Sequence, residues 1–179
     1  MAKLIIIRGP SAVGKSTVAK AVAEKMGCKT AHVSVDLTEQ ELMFEWNKIQ
    51  VKDRLKFMYM NAYSLIENYI SSGYNVVTDG YYSIENNKSM LKYIIELGKK
   101  FHSEIYVFEL EADIKEIITR TKKRGYKEDI INDFRLIKKR HKKFDIARMK
   151  GAMVIDTNKQ TTAKVVDTIL EVTKIGKNQ

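Results

Sequence analysis

Within nine residues near the start of the chain, Gly9-Pro10-Ser11-Ala12-Val13-Gly14-Lys15-Ser16-Thr17, the first eight satisfy the pattern G-x-x-x-x-G-K-[ST] in full. An apolar run precedes them and a helical pattern follows, which is the setting this motif requires. Glycines at 9 and 14 let the backbone turn tightly, so that its N–H groups converge on phosphate oxygens. A helix beginning near Lys15 directs the positive end of its dipole at the same anion. Lys15 is then placed for the β- and γ-phosphates, and the Ser16 hydroxyl for Mg²⁺. Ser11, Ala12 and Val13 complete the loop, and Thr17 packs or caps the helix. The motif predicts nucleotide binding and leaves the reaction open, because NTPases, GTPase switches and small kinases share it. A guanine-specifying Asn-Lys-x-Asp box is absent, since Asp156-Thr157-Asn158-Lys159 has the wrong order, so ATP is expected over GTP.

The rest of the chain alternates in a way that suits such a loop. Five apolar runs read as strands: Leu4–Arg8, His32–Asp36, Asn75–Thr78, Glu104–Leu110 and Ala152–Asp156. Continuous β-branched and aromatic runs such as Leu-Ile-Ile-Ile fit strands covered on both faces. Between them, three-to-four spacing predicts helices over Lys15–Met26, Lys52–Ser71, Glu85–Leu97, Ile114–Arg124, Glu128–Ala147 and Thr161–Lys174. Alternating strands and helices imply crossovers and a parallel sheet. The expectation is an α/β P-loop NTPase fold, one domain over 1–179, with a five-stranded parallel sheet flanked by helices. Gln40–Val51, with Trp46, reads as a mobile helix beside the site. On the helix from Glu128, the residues Ile130, Phe134, Ile137, His141 and Phe144 form a core-facing stripe, which makes His141 a packed histidine. His32 and His102 are isolated and read as structural or exposed.

Composition narrows the setting. One cysteine, Cys28, excludes an internal disulfide framework and a cysteine-rich zinc site, and reads as a small buried side chain. No apolar run reaches the about 18 residues of a membrane span, and the N-terminal stretch is too short for a signal peptide, so a cytoplasmic chain is expected. The formal charge is +10, and it is concentrated. Lys115 to Lys150 holds fourteen lysines and arginines against five acids, a surplus of nine. That segment is either a solvated helix face or a contact for a polyanion.

Two carboxylates are placed at strand ends, where ligands of parallel sheets bind. Asp79 follows an apolar strand, the position of a carboxylate that holds Mg²⁺ through water or orients a nucleophile. Asp36 ends the second strand, where a carboxylate can accept the proton of an attacking hydroxyl. Arg120 and Arg124 are four apart on one helix and share a face. Gly125 ends that helix, and Lys122–Lys127 forms a basic break that reads as a lid, about 115–130. Paired arginines there suit the charge that gathers on the β–γ bridge and the γ-phosphoryl group.

Together the phosphate loop, Asp36, Asp79 and the run Arg120-Thr121-Lys122-Lys123-Arg124-Gly125-Tyr126-Lys127 resemble the kinase domain of phage-type 5′-hydroxyl polynucleotide kinases. These are small P-loop kinases related to adenylate kinase, and the resemblance covers roughly residues 3–145. It implies that Lys15 and Ser16 bind phosphates and Mg²⁺ and that Asp36 is the general base for the 5′-hydroxyl. It further implies that Arg124, with Arg120 nearby, contacts the phosphates in the transition state, and that Asp79 sits in the acceptor or metal site. One position departs. Phage-type members carry an arginine three residues after the base, for the acceptor's 3′-phosphate, and here that position is Glu39.

The expected function is therefore ATP- and Mg²⁺-dependent transfer of the γ-phosphoryl group to a hydroxyl, first of all the 5′-OH end of DNA or RNA. Phe44, Trp46, Tyr81 and Tyr82 are candidates to stack a base, or else core residues. Glu39 and the compact length favour a small-molecule or nucleoside kinase, akin to antibiotic O-phosphotransferases. A nucleotide-dependent binding protein or switch is the reading from another class.

Overall fold

The computed structural model describes residues 1–40, 45, 48–82, 90–123, 134–146, 149–158 and 160–174. Its elements are β1 (Lys3–Arg8), α1 (Lys15–Met26), β2 (Thr30–Ser34), α2 (Val35–Gln40), α3 (Val51–Ser71), β3 (Asn75–Gly80), α4 (Met90–Lys100), β4 (Glu104–Glu111), α5 (Ile114–Lys123), α6 (Phe134–Ile146), β5 (Met153–Asp156) and α7 (Thr162–Val172). The strands form one parallel sheet in the order β2-β3-β1-β4-β5. The expected five-stranded architecture is therefore present.

Strand β1 is central, and its sequence explains why. Leu4, Ile5, Ile6 and Ile7 are all fully buried. Alternation sends Ile5 and Ile7 to one face, with Val18 and Val22 of α1 and Val165 and Ile169 of α7. Leu4 and Ile6 point to the other face, with Met58, Ala62 and Ile66 of α3 and Ile94 and Leu97 of α4. An apolar residue at every position is what a strand between two helical layers needs.

The differences from expectation lie at the edges. Strand β2 ends at Ser34, and Asp36 lies in the first turn of α2 instead of closing the strand. Ser34 pairs with Asp79, and the chain turns into α2 at Val35, one residue before β3 itself ends at Gly80. Asp79 correspondingly lies inside β3. Tyr82 is fully buried, and its hydroxyl donates to Thr78 Oγ1, whose own proton goes to the Val33 carbonyl. It is a core residue and cannot stack a base, while Phe44 and Trp46 fall outside the described residues. Burial pushes the Tyr82 hydroxyl far above the ordinary tyrosine range. Cys28 is exposed, against the buried reading, because the chain turns outward at Gly27 after α1. His141 packs as expected, half-buried, with Nε2 donating to the Ala112 carbonyl at 3.0 Å.

One buried ion pair ties the carboxyl edge together. Arg8 and Glu109 are register partners on β1 and β4, at 0 % and 2 % exposure, and the Arg8 guanidinium donates to Glu109 Oε1. The same oxygen accepts the Met149 backbone N–H at 2.8 Å, and the guanidinium lies 4.5 Å from the centre of the Phe144 ring. Burial pulls the Arg8 pKa below its usual value, and Glu109 opposes the shift. Such a pair is costly to break by halves and cheap to replace whole. Glu109→Leu alone is expected to destabilise the protein by about 3–5 kcal/mol, and Arg8→Met with Glu109→Leu by about 1 kcal/mol or less. Urea denaturation midpoints of the two variants check this.

Candidate nucleotide and phosphoryl-transfer site

The loop leaves β1 at Gly9 and is pressed against β4. A Cβ on Gly9 would stand 2.5 Å from the Leu110 carbonyl oxygen and 2.9 Å from Val13 Cγ1, so only glycine fits there. At the other end Gly14 takes φ 102° as the residue before α1, a left-handed conformation that favours glycine. Gly14 offers no capping side chain, so the first-turn N–H groups of α1 face the loop uncapped by that residue. An anion is the natural partner for such a helix start. Lys15, 8 % exposed, arches back over the loop and donates from Nζ to the Pro10 carbonyl at 3.0 Å. Ser11 and Thr17 are exposed, while Ala12 and Val13 are buried.

Beside the helix start sits a fully buried carboxylate. Asp79 is 0 % exposed. Its Oδ2 accepts the Ser16 hydroxyl proton at 2.7 Å, and its Oδ1 lies 2.8 Å from His32 Nε2. A carboxylate can only accept, so that imidazole nitrogen carries the proton and donates. Two hard oxygens, from Ser16 and Asp79, suit Mg²⁺. The pairing of Ser16 with Asp79 joins the two residues expected at the metal. His32, read from sequence as isolated, belongs to the same cluster. The signal was its place on the second strand, two residues before the partner of Asp79.

Asp36 stands apart from this pair, exposed at the same edge of the sheet. Its surroundings are aromatic. The Tyr59 hydroxyl is pushed up, first by burial and then by the neighbouring Asp36 carboxylate and Tyr81. Tyr81 in turn meets Phe144 edge-on, with ring centres 5.6 Å apart. The side chain of Glu39 lies outside the description, as do Arg124 and the remainder of the lid.

Arg120 is engaged by protein partners on the loop and beyond β5. Its Nε donates to Glu116 at 2.8 Å, and its two terminal nitrogens donate to Thr157 O at 2.7 Å, Thr157 Oγ1 at 3.1 Å and Val13 O at 3.3 Å. The guanidinium thus braces the phosphate loop to the turn after β5. Next to this brace opens a cleft of about 420 Å³, lined among others by Val13, Thr17, Arg120, Thr157 and Thr161. Its size suits a small ligand. Thr157 was missed from sequence, where the stretch was weighed only against a guanine box.

Comparison with known proteins agrees on the fold. A family model described as an AAA domain matches residues 5–150. No curated protein sequence matches the chain. Among solved structures, a putative kinase from Chloroflexus aurantiacus is similar at TM-score 0.68 and 15 % identity, over 98 % of this chain and 97 % of that one. The Mycobacterium tuberculosis APS kinase CysC, in complex with AMPPNP and APS, gives 0.68 and 13 %, over 97 % and 98 %. A chain of the Pnkp1/Rnl/Hen1 RNA repair complex gives 0.66 and 16 %, over 82 % of this chain and 45 % of that one. The chain belongs to the AAA domain family and has a P-loop kinase fold.

Proposed function

We propose that the protein is an ATP- and Mg²⁺-dependent phosphotransferase that moves the γ-phosphoryl group to a hydroxyl, with the 5′-OH end of DNA or RNA as the leading acceptor. The observation that carries the reading is the joining of Ser16 to the buried Asp79 at the start of α1, with Lys15 arched over the adjoining loop. In this reading the cleft beside Arg120 and Thr157 takes the nucleoside of ATP. Lys15 and the first-turn N–H groups hold the phosphates. Ser16 and Asp79 would hold Mg²⁺, which would supply positive charge against the phosphates. Asp36 takes the hydroxyl proton as that oxygen bonds to the γ-phosphorus and ADP departs. Arg124 contacts the transferring group.

For the acceptor, support comes from the basic segment Lys115–Lys150, the lid resemblance and the similarity to a chain of an RNA repair complex. A second reading, a small-molecule kinase, draws on Glu39 and on the similarity to the APS kinase over nearly its whole length. Labelling from γ-labelled ATP with a 5′-hydroxyl oligonucleotide, its 5′-phosphorylated form and a pool of nucleosides and other hydroxyl compounds separates the two. Label on the 5′-hydroxyl strand alone, with an acceptor KM that rises steeply with salt, is expected. Label only in the pool establishes the second reading. ATP binding without transfer to any acceptor would instead fit a switch.

Two variants test the roles. Asp36→Asn is expected to lower kcat by about 10²–10⁴-fold with ATP affinity near wild type, measured by steady-state kinetics and calorimetry. Arg120→Met removes the brace and is expected to weaken ATP binding by about tenfold or more, while kcat at saturating ATP is largely kept. A loss confined to kcat would return Arg120 to the γ-phosphoryl side.

A further inference from the structure

We infer that His32 is a positioning residue for the metal centre: it holds the Asp79 carboxylate in the one orientation that presents Oδ2 to Ser16. The inference rests on the reading that Ser16 and Asp79 hold Mg²⁺.

The sheet brings the three residues together from distant parts of the chain. Ser34 is the register partner of Asp79, and His32 is the partner of Val77. Residues two apart on a strand share a face, so His32, Ser34, Val77 and Asp79 all lie on one side of the sheet. Val77 packs there with Val18, Ala19 and Val22, so this is the side that α1 covers. Ser16 descends to it from the first turn of α1. His32 approaches Asp79 from the neighbouring strand, at the opposite end of the carboxylate.

The division of the two oxygens is what makes the geometry informative. Asp79 is 0 % exposed, so water cannot freely serve either oxygen. Oδ1 takes the N–H of His32 at 2.8 Å and Oδ2 takes the hydroxyl of Ser16 at 2.7 Å. The Ser16 hydroxyl has one proton and two lone pairs. With the proton committed to Oδ2, its lone pairs are free to face a cation. A carboxylate on a single bond would rotate and release that orientation. His32 supplies the second restraint. Its ring is 17 % exposed, held at the sheet edge and largely shielded from solvent, so the bond competes little with water. Partners that orient metal ligands in this way affect metal affinity by about 10–100-fold when removed.

The test measures metal binding apart from turnover. Mn²⁺ is titrated into the protein–ADP complex and followed by electron paramagnetic resonance, with ADP affinity in EDTA measured alongside. His32→Leu, similar in size but without a donor, is expected to weaken Mn²⁺ binding by about tenfold or more. ADP affinity in EDTA should stay unchanged, and KM for Mg²⁺ should rise while kcat at saturating Mg²⁺ holds. His32→Gln, which keeps an N–H at similar reach, should recover most of the affinity. A merely structural histidine would lower thermal stability without this split or this rescue. Asp79→Asn is the reference. If it weakens Mn²⁺ binding and His32→Leu does not, the inference about His32 is overturned and the metal reading stands. If Asp79→Asn leaves Mn²⁺ binding intact, the metal reading falls and the inference with it. Should His32→Leu fail to fold, His32→Gln and His32→Asn decide: equal loss in both overturns a role for the donor.

Discussion

Everything at the site follows from how closely β1 and β4 approach each other where the loop begins. The Leu110 carbonyl fills the space a side chain would need at residue 9, and immediately before it Arg8 and Glu109 are sealed between the same two strands. The loop is therefore launched from a fixed point with a fixed direction. From there the left-handed Gly14 turns the chain into α1, which lands with Ser16 over Asp79. A looser junction would leave the N–H groups of the loop without a common focus, and electrostatic stabilisation of phosphate depends on donors held in place beforehand.

The carboxyl edge is divided between two kinds of environment. On the β3 side, Asp79 is dry and doubly hydrogen-bonded, which suits a group that must stay put. Asp36 is exposed, with Tyr59 close by, which suits a group that must meet an incoming molecule. The same residue type thus meets two environments because β3 buries one carboxylate while α2 leaves the other at the surface. Charge reinforces the asymmetry. Most of the net positive charge of the chain lies C-terminal to α5, far along the sequence from both acids.

The sequence was readable where local pattern and global fold agree. The five strands, the bounds of α1 and the core stripe through Ile137 and Phe144 all follow from periodicity, because burial on two faces or on one stripe leaves a direct imprint on residue type. What could not be read depended on which strand lies beside which. β2 gives way to α2 at Val35, one position short of the end of β3, so Val35 and Asp36 looked like strand from their residue types alone. His32 became part of the site only through the β2–β3 pairing. Arg120 lies on the expected helix, and its bonds run to Val13 and Thr157, residues far away in sequence that no helical spacing could reveal. Tyr82 looked available, and only tertiary packing shows it inside the core.

The brace between Arg120, Val13 and Thr157 also makes the cleft depend on parts of the chain far apart in sequence. The phosphate loop follows β1 directly, but the wall of the adjoining cleft is finished only when the turn after β5 has docked. The segment through β3 holds the glycines and the lysine, while β4, the partner of β1 on its other side, comes later in sequence. Ligands stabilise only the states that bind them. A ligand seated in that cleft would therefore stabilise only molecules in which the turn after β5 has docked against the loop.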